Sequence, residues 1–194
     1  MQLFEHLVTH ALQMYTVFMV YTLVPLGNPG EKYVRTRHNA ARIMLTLIES
    51  HVEKLESVEV FVPDTFMNES GKAVANFLRY HEGRQLIVMY DDKDVPLGKI
   101  RISHDRGDGG HNGVKSIIES LGTKEFIRVR IGIAPQDVDG KEIKAPHGME
   151  VQDFVMGKFR EDEEMVLREI APQVMGALTA IVEVGYQKAM ERFN

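Results

Sequence analysis

Cysteine is absent from the 194 residues, which removes disulfides, thiolate metal sites and thiol nucleophiles from consideration. A basic excess is also missing: 23 Lys and Arg stand against 28 Asp and Glu, a formal charge of −5. Nonspecific coating of nucleic acid rests on phosphate neutralisation, so any RNA contact here must come from a local basic patch. No Lys or Arg precedes Lys32, so the basic n-region of a secretory signal is lacking. The apolar stretch Ala11 to Pro25 falls short of the roughly 20 residues of a bilayer span. These absences predict a cytoplasmic protein without membrane contact. What is present, 44% hydrophobic and 26% charged residues, is the balance of a globular protein. The length suits one domain over residues 1–194.

Thr16–Val24 is a β-rich apolar run that reads as a buried strand, closed by the Pro- and Gly-rich loop Pro25–Gly30. From Asn39, the residues Ile43, Met44, Leu47, Ile48 and Val52 recur at helical spacing. Val58–Val62 reads as a strand, Ser70–Leu78 as a helix and Leu86–Tyr90 as a strand ending in an acidic turn, Asp91–Asp94. Next come a strand at Lys99–Ile102, a glycine-rich loop at Gly107–Gly113, a helix at Val114–Leu121 and a strand at Ile127–Ile133. Pro135–Gly148 is polar and reads as loop, and Asp162–Arg192 is helical by periodicity, with Pro172 interrupting it or starting a second helix. Helices alternate with strands, so the expected class is α/β, a single domain with a mixed central sheet flanked by helices.

Loops after strands are where such folds place their chemistry. Four of them hold an unusual polar set: Gly27–Gly30 with Tyr33, Thr36–Asn39, Phe66–Asn68 and Gly109–Gly113; Asp91 stands at a strand end. Together the stretches LGNPGEKYVRTRHNA (26–40), VPDTFMNESGKAVA (62–75), YDDKDVPLGKIRI (90–102), GDGGHNGVKSIIESLGTKEFIRVRIGI (107–133) and FVMGKF (154–159) resemble the bacterial-type peptidyl-tRNA hydrolase family. The five are collinear and cover most of residues 24–160.

The resemblance implies hydrolysis of the ester between a peptide and the 3′ ribose of tRNA, in a monomer that uses no cofactor and no metal. It assigns His38 as general base and Asp91 as the carboxylate that holds it. Asn28, Asn68 and Asn112 are the expected neutral hydrogen-bonders around peptide and ester, with Tyr33 and Phe66 beside the tRNA's substrate end. Arg37, Arg101, Arg106, Lys115, Arg128 and Arg130 lie in or beside the matched stretches, and Lys115 and Arg130 are the expected phosphate holders. His111 reads as a brace for its loop. The chain departs from the family at Pro25, where glycine is usual, and at Ser103, where lysine is common. The segment between Asn39 and Pro63 is short, which predicts one strand or hairpin fewer, and residues 1–14 form an N-terminal extension expected to cover the vacated edge. The alternatives are a non-catalytic RNA-binding relative of the same fold and a metal-dependent hydrolase with His38, His111 and Asp91 as ligands.

Overall fold

The computed structural model describes residues 19–135 and 150–194. The expectations for residues 1–14 and for the polar stretch after Pro135 lie outside the described residues. Five strands form one mixed sheet in the order β2-β1-β3-β5-β4. These are β1 (Tyr21–Pro25), β2 (Val58–Val60), β3 (Gln85–Pro96), β4 (Ile100–His104) and β5 (Ile127–Ala134). Only β4 is antiparallel to its neighbour. The helices are α1 (Ala40–Val52), α2 (Ser70–Arg79), α3 (Asn112–Leu121), α4 (Glu150–Met156), α5 (Glu161–Val184) and α6 (Tyr186–Phe193).

Strand periodicity divides the core in two. Ile87, Met89, Ile127, Val129, Ile131 and Ile133 face α1, α5 and α6, whereas Leu86, Val88 and Tyr90 face α2 and α3. The arginines alternating along β5 therefore share the second face. The register places Arg130 opposite both Tyr90 of β3 and Arg101 of β4. Helices α2 and α3 cover one end of that face; the charged row occupies the other.

Two sequence expectations are corrected. The acidic segment Asp91–Asp94 is no turn: β3 continues to Pro96, with Asp91 and Asp92 paired to Ile131 and Gly132. Their carboxylates are matched by cationic or N–H-bearing side chains, which lets so polar a segment sit inside a sheet. Pro172 neither ends nor starts a helix, because α5 runs through it without a break. It lies on the exposed side, where the carbonyl it leaves unpaired four residues earlier can be hydrated. The break comes at Gly185, whose φ of +85° suits glycine alone. Helix α5 is long and apolar enough to cross a membrane. Its apolarity is instead that of a core element, with Leu167, Val174, Ala177, Leu178 and Ile181 buried and an acidic first turn.

Candidate active site

Strand β1 ends at Pro25, opposite Met89 of the parallel strand β3, which runs on past it. The segments beyond these two positions face a common crevice, the usual place for a ligand in a parallel sheet. Asp91 is the second residue of β3 past Met89. The segment Arg37–Asn39 leads into α1 and carries His38; the loop after β4 carries His111 and leads into α3, whose first residue is Asn112.

Asp91 is 3% exposed and stands between two imidazoles. Nδ1 of His38 lies 3.0 and 3.1 Å from its two oxygens, and Nε2 of His111 lies 2.9 Å from Oδ1. The tautomers are set by the remaining contacts. Nδ1 of His111 accepts the Val114 N–H at the start of α3 (3.3 Å), so its proton sits on Nε2 and is donated to Asp91. His38 likewise donates from Nδ1, which leaves the Nε2 lone pair for the cleft. Burial alone would lower the His38 pKa; the charge and hydrogen bond of Asp91 outweigh it and hold the imidazole above its ordinary value. Burial alone would raise the Asp91 carboxyl, yet the two imidazoles hold it well below the usual carboxylate range.

Asn28 is placed just as firmly. Its N–H donates to Oδ1 of Asn39 (2.8 Å), and Nδ2 of Asn39 returns a bond to the Asn28 carbonyl (3.0 Å). The Asn28 Oδ1 accepts the Met67 N–H at 2.9 Å. Only its Nδ2 hydrogens are left to offer, so Asn28 faces the cleft as a donor.

The cleft measures about 760 Å³, and Asn28, His38, Phe66, Asn68, Asp91, Asn112 and Arg130 all line it. Tyr33 stands outside the lining, edge-on to Phe66 with ring centroids 6.2 Å apart. Lys115 also lies outside, exposed on α3 and 3.9 Å from Glu119. Arg130 is paired with Asp92 at 2.6 Å, and Arg101 stands beside it across the ladder. Two members of the expected basic cluster serve the fold instead. Arg37 is tied to both oxygens of Glu163 (2.9 and 2.8 Å) and packs on Phe154 and Phe159, beneath the His38 turn. Arg128 is fully buried and donates to the carbonyls of Gly107 (2.9 Å) and Arg106, bracing the glycine-rich loop.

Two residues matter more here than the sequence suggests. Asn39, to which the sequence assigns no role of its own within the polar Thr36–Asn39 segment, anchors the Asn28 loop, and His111 holds Asp91 as well as its own loop. The signal for His111 is local: a histidine one residue before a helix start is placed to cap it. Helix α4, for which the sequence pattern predicts no element, supplies an apolar wall from Val151, Val155 and Met156. Donor atoms of His38, Asp91 and His111 lie within 4.8 Å of one another, a set that by residue type suits a divalent metal. A metal there would have to displace the two N–H protons now donated to Asp91.

The family model described as peptidyl-tRNA hydrolase matches residues 22–194. A peptidyl-tRNA hydrolase of Chloroflexus aggregans is 37% identical over 195 residues, covering 90% of this chain and 99% of that protein. One from Thermotoga maritima is 37% identical over 187 residues, covering 89% of this chain and 96% of its own length. A crystal structure of peptidyl-tRNA hydrolase from Acinetobacter baumannii superposes with a TM-score of 0.74 at 27% identity, covering 90% of this chain and 94% of that one. The chain belongs to the peptidyl-tRNA hydrolase family and is an enzyme of that type.

Proposed function

We propose that this chain cuts the ester joining a peptide, or an N-blocked amino acid, to the 3′ ribose of tRNA, using a water molecule that His38 deprotonates. One observation carries the reading. A buried carboxylate holds Nδ1–H of His38, so the opposite nitrogen is free to act as a base. A carboxylate in that position fixes the tautomer and stabilises the imidazolium that forms. The water oxygen attacks the ester carbonyl carbon while its proton passes to His38 Nε2. The bond from carbonyl carbon to ribose oxygen then breaks, and the same proton goes to the departing 3′ oxygen.

An ester is activated enough for this to suffice. A positioned general base supplies about 10²–10⁴ in rate, and fixed donors on the developing oxyanion supply a similar factor. Asn28, with Oδ1 occupied by Met67, donates to a substrate carbonyl through Nδ2. Asn68 and Asn112 on the same cleft are neutral as well, and so do not repel phosphate. Phe66, with Tyr33 behind it, offers an aromatic edge to the tRNA end. Arg130 and Lys115 hold the terminal phosphates, with Arg101 beside Arg130 adding to the positive strip. The enzyme is read as a cytoplasmic monomer without cofactor or membrane contact.

The direct test is release of tRNA from N-acetyl-aminoacyl-tRNA by the purified chain, with and without EDTA. Substitution of His38 by Ala should lower kcat by about 10²–10⁴ while tRNA binding stays nearly unchanged, and chelation should have no effect. A fully active His38→Ala protein refutes the mechanism, and loss of activity on chelation transfers it to a metal held by His38, Asp91 and His111.

A further inference from the structure

Beside the Gly27–Gly30 loop lies a second cavity of about 350 Å³ that shares Asn28 with the cleft. Val34, Ile43 and Leu47 give it an apolar surface, and Arg35, Arg42 and Arg168 line it against a single carboxylate, Glu164. Arg35 is spent on that carboxylate, its Nε 2.6 Å from Glu164 Oε1. Cations therefore outnumber carboxylates in the lining, and Asp64 acts on Arg42 from outside it.

Arg42 is held in an unusual way. Its stem crosses directly over Gly27, where a Cβ would meet its Cδ at 2.6 Å and its Nε at 2.7 Å. One terminal nitrogen donates to the Pro63 carbonyl (2.5 Å). Its Nε is buried with no hydrogen-bond partner among the described residues. Burial also holds the Arg42 guanidinium below its ordinary pKa, against the opposing charge of Asp64.

We propose that this cavity binds a small amphipathic anion, with an apolar chain against Val34, Ile43 and Leu47 and a carboxylate or phosphate-ester head on Arg42 and Arg168. The size lies at the lower end for small-molecule sites, and an apolar lining with a few convergent polar groups is their common form. Asn28 lines both this cavity and the cleft, and Asn39 anchors its loop.

The test is a titration of the full-length, ¹⁵N-labelled protein with octanoate and, separately, octyl phosphate, monitored by backbone amide shifts. One or both should saturate in the low millimolar range, with the largest shifts at Gly30, Val34, Thr46 and Leu47. The anion that saturates at lower concentration identifies the preferred head group. Octylammonium, of equal chain length and opposite charge, should not saturate. Arg168→Glu, on an exposed position where folding is not at stake, should weaken binding roughly tenfold, the scale of one charge-assisted contact, and Arg42→Gln should do the same. Four results overturn the proposal: no saturation by either anion, equal binding of octylammonium, unaltered affinity in Arg168→Glu, or shifts centred on Phe66 and Val151 of the cleft.

Discussion

Two imidazoles share one carboxylate at the site. On the proposed mechanism His38 acts only when neutral, so kcat/KM should rise with pH and level off. Its midpoint should lie above the unperturbed value of about 6.5, because Asp91 more than compensates for burial. His111 donates a hydrogen bond to the same Asp91 oxygen and so reduces how strongly that carboxylate favours imidazolium at His38. His111→Ala should therefore move the midpoint upward, by about half a unit to one unit, and lower the plateau as the loop loses its brace. Rate profiles of the two proteins decide the matter; an unmoved or lowered midpoint would mean that His111 does no more than cap α3.

Between elements, α2 and α3 approach closely at Gly71. A Cβ at Gly71 would lie 1.9 Å from the Ser116 carbonyl oxygen, and the Gly71 N–H already donates to Ser116 Oγ at 3.0 Å. Gly71→Ala must push the helices apart, at about 1–3 kcal/mol. Since α3 begins at His111 and Asn112, the displacement should also reach the cleft. Thermal melting and kcat well below the transition check this together: both should fall. A wild-type melting temperature would show that α3 yields freely. The same pair of helices explains why Asn68 and Asn112, far apart in sequence, line one cleft.

Across the whole molecule, the acidic total and the proposed RNA substrate are reconciled by position. On the sheet face shared by β3, β5 and β4, Arg130 and Arg101 stand in one row opposite Tyr90, and both border a groove with Arg106 and His104. A phosphate there must compete with Asp92 for Arg130, whereas Arg101 is exposed. Arg101→Ala and Arg130→Ala should each raise KM more than they lower kcat. Each should also flatten the log–log salt dependence of binding, by about 0.7–0.9 for every phosphate no longer neutralised. Lys115→Ala should act in the same direction. If the slope is unchanged in all three, the tRNA lies on another face.

The sequence alone determined the alternation of helices and strands, because apolar spacing registers which face of an element is buried. It also supplied the residue types of the cleft, since the segments after β1, β2 and β4 bear polar residues that no core would hold. The arginine–aliphatic alternation of β5 was likewise legible, and it divided that strand between a core face and a charged face. What only the tertiary structure decided were the pairings. Asp91–Asp94 has the composition of a turn, and it remains strand because His38, His111 and Arg130 arrive from elsewhere to match its carboxylates. The tolerance of α5 for Pro172 depends on which side of the helix faces water, which no local pattern registers. The weight carried by His111 and Asn39 is hidden from the sequence for the same reason. Each acts through a partner 20 or 11 residues away, and a hydrogen bond at that separation exists only once the chain has brought its two ends together.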